Sequence, residues 1–498
     1  MSLDPAVKPS WKSQLEIRYI HLFRPRSKNF TTMKKSIFLI VSLAVTSFCL
    51  NAQDAQTVIN NAVKSLGASD LKTLEYSGSG YVFSFGQNPN PKMPWPKFNA
   101  KSYTKGINYE SGASTQRLVR TQAENPPRGG GMQPLIGEQT QNQMIDSNSP
   151  WTGRAQIWIT PHGFLKAALS NKPTVKSTKV GGKKFNVVSF TAENKYKLNG
   201  YLNEQGEVEK VETWVDNAVL GDVPVEVNYS EYKDFNGLKF PTRILQKDGG
   251  HPVYDLTITE VKPNAEVTLQ PSTPAAAPVV APEKVAEGIH YVAGGGATAS
   301  IAVEFADFVT VLEAPLSEVR SLAVIDEVKK LIPNKPIKYL VNTHHHFDHS
   351  SGLRTYVAEG AIIVTHDVNK AFYQKTFKAP HTLNPDKLEL SKKKPMIESF
   401  TDKKTITDGT RTIELHHIAG NLHNDGIIMI YFPKEKMIAV CDMFARIPAD
   451  QPVPEKTSPF TLNLLENIDR LKLDFDVILP FHGTVSNKAE LMRVAGRK

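Results

Sequence analysis

Between Leu74 and about Val261 the chain alternates apolar and polar residues in short runs: YSGSGYVFSF, KKFNVVSFTA, YKLNGYLN, VEKVETWVD, VEVNYSEY and LKFPTRILQ. A period of two, rich in Val, Tyr, Phe and Thr, predicts strands. Turn formers separate the runs: NEQGE at 203–207, DFNG at 234–237 and KDGG at 247–250. Two segments break the alternation with helical spacing. Residues 54–66 place Val58, Ala62, Val63 and Leu66 on one side, and TPHGFLKAAL at 160–169 predicts a second helix. Residues 124–144, rich in Pro, Gly and Gln, predict a mobile loop. The pattern as a whole predicts an antiparallel β-rich domain over residues 54–269.

Residues 270–282 (QPSTPAAAPVVAP) are a Pro/Ala run that cannot bury a core and reads as a semi-rigid linker. Past Glu283 the pattern changes. Apolar strands (GIHYVAG, SIAVEFA, FVTVLEA) lead into a helix (SEVRSLAVIDEVKKL) and a strand (KYLVNT). Then come AIIVTH, TIELHHI, GIIMIYF and MIAVCD, another helix, and DVILPFH. Strands alternating with helices predict a layered α/β domain over residues 283–498.

Composition is that of a globular protein, 40% hydrophobic and 22% charged over 498 residues. The net charge of +9 is concentrated at the start: residues 1–52 carry eight Lys/Arg against two acids, and the rest of the chain is near +3. That balance offers no electrostatic case for a nucleic-acid partner. From Met33 the sequence reads MKKSIFLIVSLAVTSFCLNAQ, with Lys34 and Lys35 before an apolar run from Ile37 to Leu50 and a small residue at Ala52. This is a secretory signal-peptide pattern over 33–52, with cleavage expected after Ala52 and residues 1–32 as an upstream extension. The apolar run is shorter than the ~20 residues a membrane-spanning helix needs, so the expectation is a periplasmic or secreted protein with no stable span in the mature chain. Cys49 lies in the leader, so Cys441 is left without an internal disulfide partner.

Ten of the 14 histidines lie between 344 and 482. At the centre is NTHHHFDHSSG, residues 342–352, containing His344, His346, Asp348 and His349. In a segment leaving a strand, alternate side chains point the same way. His344 and His346 can therefore reach one ion, while Asp348 and His349 can face a neighbouring one. Zinc takes imidazole nitrogen and carboxylate oxygen at ~2.0–2.2 Å. Three further candidates each follow an apolar strand: His423 in AGNLHNDG, Asp442 in MIAVCDMF and His482 in ILPFHGT.

These motifs, in this order over about residues 283–495, resemble the metallo-β-lactamase superfamily. The resemblance implies an αββα sandwich preceded by the separate β-rich domain. It implies one metal on His344, His346 and His423, a second on Asp348, His349 and His482, and Asp442 bridging both. It further implies a zinc pair per chain, with a hydroxide between the ions as nucleophile and Asp348 orienting it and shuttling its proton. Histidine at 346, where the diiron flavoproteins of the superfamily carry a carboxylate, favours zinc over iron. Aspartate at 442, where its β-lactamases carry Cys or Ser, points to esters, lactones, thioesters or amides, with a β-lactam among the candidates. The strand run ending in YKDFNGLKFPTRI resembles the half-barrel of periplasmic lipoprotein-carrier-like domains.

The remaining polar residues have local readings. Cys441 is expected to point away from the site along its strand, and His345 toward solvent or behind the ligands. His416 and His417 read as packing residues, His366 as a cap or a supporting contact, His381 as a candidate for the substrate groove, and Lys392–Lys394 as solvated surface. The competing functions are a phosphodiesterase of the same fold, a sulfur dioxygenase with one iron, and a non-catalytic periplasmic carrier.

Overall fold

The computed structural model describes residues 55–131, 133–269, 276–444, 446–448, 450–453 and 455–497. The expected leader with Cys49, the upstream extension and the first six residues of the expected linker lie outside the described residues. The described residues belong to one compact unit. Among the described residues no helix is long and apolar enough to cross a membrane.

Eleven antiparallel strands between Thr73 and Pro263 make one sheet. Strand Thr73–Phe83 pairs on one side with Lys97–Asn108 and on the other with His251–Pro263, so the ends of this segment meet in the middle of the sheet. Its buried face carries Val188, Leu198, Val211, Val225 and Ile258, packed under three helices. The helix at 55–65 buries Ala55, Ile59, Ala62 and Leu66. Its inward face is therefore centred on Ile59, one position from the expected Val58. Helix Pro161–Ser170 starts where expected, with Thr160 capping the Gly163 amide, and a further helix, Trp151–Trp158, precedes it.

The expected loop at 124–144 is partly strand: Gln139–Ile145 pairs with Ala113–Gln122 at the edge of the sheet. Five of its seven side chains are exposed, so no apolar alternation marks it. The linker also ends earlier than expected. Strand Val280–Ala286 pairs with Ile289–Gly294, and Pro282 is tolerated there because this is an edge strand, where a missing ladder donor costs little.

The second half is a four-layer αββα sandwich. One sheet runs as an antiparallel meander through Val280–Ala286, Ile289–Gly294, Ser300–Glu304 and Val309–Leu312. It continues with parallel strands Ile337–Val341, Ile362–His366 and Met396–Phe400. The other contains Lys403–Thr407, Thr412–His417, Ile428–Phe432, Met437–Val440, Val477–Pro480 and Ser486–Asn487. Val341, Val364, Ile413, Ile438 and Leu479 share the core between the two sheets. Helix Glu318–Leu331, capped by Ser317, covers the outer face of the first sheet with Val324 and Val328. Helix Pro459–Leu471 covers the second with Leu464 and Leu465. Strands Ile337–Val341, Thr412–His417, Met437–Val440 and Val477–Pro480 all end just before the segments that carry the candidate ligands.

The two halves are joined by main-chain hydrogen bonds. Gly129 N donates to Leu422 O at 2.9 Å, Asp425 N to Pro89 O at 2.8 Å, and Asp222 N to Pro380 O at 2.8 Å. The Asp222 carboxylate accepts from the amides of Thr382 (2.9 Å) and Leu383 (3.0 Å).

Candidate metal centre

Strand Ile337–Val341 buries Ile337, Leu340 and Val341 and delivers an extended segment to the edge between the sheets. His346, with φ −56° and ψ 146°, stands before the short helix Phe347–Ser350. Extended backbone up to His346 and helical backbone after it place His344 and His346 in one group and Asp348 and His349 in a second. The loop is held from behind: Asn342 Nδ2 donates to His349 O at 3.1 Å, and Tyr373 Oη donates to Asn342 Oδ1 and to His344 O.

All seven side chains singled out in the sequence converge. His344, His346 and His423 form one group, and Asp348, His349, Asp442 and His482 another; within each, candidate ligand atoms lie within 4.8 Å of one another. Asp442 stands between them. Its Oδ2 is 3.0 Å from His349 Nε2 and 3.6 Å from the Nε2 atoms of both His344 and His423, and its Oδ1 is 3.2 Å from His482 Nε2. Strand Met437–Val440 stops just short of it, and Asp442 turns out at φ +52°. Aspartate tolerates that left-handed conformation better than most residues.

This donor set fits cations. His344 Nε2 lies 3.2 Å from His423 Nε2, and His349 Nε2 lies 3.0 Å from His482 Nε2. Nitrogens so close must share a proton or face a common positive charge. His346 gives the clearest sign: its Nε2 meets Asn88 O at 2.8 Å, whereas its buried Nδ1 has no hydrogen-bond partner among the described residues. A buried nitrogen left without a partner is costly, and this one belongs to the histidine grouped with His344 and His423.

Burial, reinforced by neighbouring imidazoles, lowers the pKa values of His344 and His346, and burial lowers that of His423. Neutral imidazole is the form that ligates. Burial also opposes the charge on Asp442, but His349 and His423 outweigh it and hold the carboxyl well below its usual range. For His349, burial is outweighed by the acidic groups packed around it, Cys441, Asp348 and Asp442, which raise its pKa.

Three features were not read from the sequence. Glu313, fully buried at the end of strand Val309–Leu312, puts Oε2 3.3 Å from His349 Nδ1 and accepts the Thr343 amide at 2.6 Å. Its only sequence signal is an acid closing an apolar strand, FVTVLEA. Cys441 is buried, but it does not point away. The turn at Asp442 breaks the alternation and leaves Sγ 3.3 Å from His349 Nδ1 and within hydrogen-bond reach of Asp442 Oδ2 at 2.7 Å. Gln87 and Asn88, from the turn after Thr73–Phe83, are the third. Gln87 Nε2 donates to Asp348 Oδ1 at 2.7 Å, and Asn88 Oδ1 accepts from His345 Nε2 at 3.1 Å. No local motif marks either residue.

The other histidines are occupied. His345 is buried rather than solvent-facing, bonded by Asn88 on one nitrogen and by Asn424 Nδ2 on the other. His366 caps helix Asp367–Thr376 by accepting from Val368 N, and it stacks on His417. His416 pairs with Glu414, and His417 bonds Asp425 O. His381 does not line a groove: it is buried 3.7 Å from Asp386, which is itself held by Arg354. Lys392, Lys393 and Lys394 are exposed.

Residues 293–482 match the family model described as the Metallo-beta-lactamase superfamily. Among solved structures, the metallo-beta-lactamase from Pontibacter korlensis is 16% identical, covering 44% of this chain and 97% of that one, with a TM-score of 0.34. A metallo-beta-lactamase from Pseudomonas aeruginosa in its mono-zinc form is 14% identical over 44% of this chain and 94% of that one, with a TM-score of 0.34. The rubredoxin oxygen:oxidoreductase of Desulfovibrio gigas is 16% identical over 43% of this chain and 61% of that one, with a TM-score of 0.35. No curated protein matches the chain.

Proposed function

We propose, from the premise that residues 293–482 belong to the metallo-beta-lactamase superfamily, that this protein is an exported two-zinc hydrolase of a small ester, lactone, thioester or amide. The observation that carries the reading is the position of Asp442, whose two oxygens face ligand-capable nitrogens of both groups at 3.0–3.6 Å. Six other ligand-capable side chains complete the two groups. In this reading His344, His346 and His423 hold one ion, Asp348, His349 and His482 hold the other, and Asp442 serves both. An imidazole-rich set of this kind suits zinc. The signal-peptide pattern at 33–52 supports export.

When bound, such a pair supplies Lewis acidity and lowers the pKa of a coordinated water to ~7. The rest of the work falls to the chain. Glu313 orients His349 through Nδ1, and the Asn88 carbonyl orients His346 through Nε2, leaving the opposite nitrogens for ligation. Asp348 and His482 are the ligand-set side chains most open to solvent, 32% and 14% exposed, while the others are at most 2% exposed. In this reading substrate approaches from their side, and Asp348 would orient the attacking water and exchange its proton.

A cavity of about 560 Å³ opens elsewhere, and none of the seven candidate ligands lines it. Pro459 and Thr461 line it with Pro127, Leu135, Ile136 and Ile447.

The test is metal content of the purified protein together with turnover of lactone, thioester, β-lactam and phosphodiester substrates, with and without chelator. The expected result is two zinc ions per chain and a carbon–heteroatom hydrolase that a chelator silences and zinc restores. His346→Ala should lower the rate at least 100-fold. One iron per chain, turnover confined to bis(p-nitrophenyl) phosphate, or a fully active His346→Ala protein would each overturn the assignment.

A further inference from the structure

We propose that Gln87, which lies outside the region matching the superfamily, is a positioning residue for the second ion's ligand set; the inference rests on the two-zinc reading. Gln87 reaches Asp348 across 261 positions of sequence, its Nε2 donating to Oδ1 at 2.7 Å. An ionised carboxylate only accepts, so the amide nitrogen must be the group that faces it. The other oxygen, Oδ2, is the one turned toward the second group, 3.4 Å from His349 Nε2 and 3.7 Å from His482 Nε2. Gln87 thus divides the labour of the carboxylate: one oxygen is tied to the amino-terminal sheet and the other is left for the ion. The torsion that would exchange the two oxygens is soft, and Asp348 is among the more exposed members of the set. A single directed donor therefore has a large effect on which oxygen is presented.

Gln87 is itself held rigidly enough to do this. Its main-chain N–H donates to Ser84 O at 3.2 Å and its main-chain carbonyl accepts from Gly130 N at 2.9 Å. On one side Gly86 O accepts from Phe347 N at 3.3 Å. Gly86 adopts φ +71°, and a Cβ there would stand 2.4 Å from the Phe347 ring, so only glycine lets the turn sit this close. On the other side Asn88 is buried, its Nδ2 donating to Asn90 O (2.7 Å) and Met93 O (3.1 Å) while its Oδ1 holds His345. The same turn supports both groups, but by different means. The His344–His346–His423 group is served through the Asn88 main chain, and the second group through the Gln87 side chain. A side-chain substitution can therefore separate them.

The experiment is a zinc titration of the chelator-stripped full chain in competition with a chromogenic chelator, which resolves the two binding steps without reference to activity. In Gln87→Met, which keeps length and removes the donor, the first step is expected to match the wild type. The second should weaken ~10–100-fold, the usual cost of losing a partner behind a ligand. Asn90→Ala removes a bond of the same turn to Asp425, at 3.1 Å, and touches no ligand; both steps should stay at wild-type affinity. The proposal fails if Gln87→Met keeps its second step, if it loses both steps together, or if Asn90→Ala weakens the second step equally. A wild-type chain that takes up no second zinc brings down the two-zinc reading and this proposal with it. That failure is told apart because it occurs before any substitution.

Discussion

Glu313 shows how much a single unflagged side chain can matter. It is a fully buried carboxylate facing the outer nitrogen of His349 at 3.3 Å. A carboxylate behind a ligating imidazole fixes the ring's tautomer and raises its basicity. Glu313→Gln keeps the volume and removes the charge. Zinc affinity at the His349 group is expected to fall ~10–100-fold, as read by chelator competition; unchanged affinity would show that His349 needs no such partner. His345 teaches the converse. It sits between two ligand candidates in the sequence, yet both of its nitrogens are bonded by asparagines. The motif names which residue types are present, but which nitrogen is free depends on neighbours 79 and 257 positions away.

Among the elements, the helices at 160–169 and 317–331 were legible from apolar spacing, and Thr160 and Ser317 each accept an amide three residues on. In the second half the inner strands were legible as continuous apolar runs, whereas the edge strands Val280–Ala286, Met396–Phe400, Lys403–Thr407 and Ser486–Asn487 went unread. The edge strand Gln139–Ile145 was not legible either, because its face meets water. Strand Lys97–Asn108 carries an unusual feature, a buried lysine. Lys105 is 4% exposed and donates to Gln156 O at 3.0 Å, and among the described residues no carboxylate pairs with it. Burial pushes its pKa down to about 8. Above that pH the folded chain has released the proton, whereas the unfolded chain, with a lysine pKa of ~10.4, still binds it. The contribution of Lys105 should then rise with pH from 8 to ~9.5, on the order of 1 kcal/mol per unit. The buried Cys441 thiol, raised by burial, acts with the opposite sign over the same range, and above ~10 so do Tyr76 and Tyr103. Denaturant unfolding of the wild type and Lys105→Met at pH 8 and 9.5 checks this: the wild type should gain stability relative to the variant over that interval. An equal change in both would assign it to other groups.

At the scale of the whole molecule, the eleven-stranded sheet and the sandwich are not independent bodies. The turn at 84–90 supports the ligand loop, Arg128 pairs with Asp425 two residues past His423, and Asp222 ties down the segment around Thr382. Residues 283–498 produced alone are expected to bind the second zinc at least 10-fold more weakly than the full chain, or to be insoluble. A soluble fragment with two full-affinity sites would show that the amino-terminal sheet contributes nothing to the centre.

The sequence by itself determined the seven converging side chains and the sheets that carry them, because ligand type, loop spacing and apolar strand runs are local properties of the chain. The tertiary structure alone decided what stands behind those side chains: Glu313, the Asn88 carbonyl, the Gln87 amide and the inward turn of Cys441. Each depends on a contact between residues far apart in sequence or on one backbone angle, the φ of +52° at Asp442. A long-range hydrogen bond leaves no periodicity in the sequence. The two partners are brought together only after the intervening chain has collapsed into its sheets.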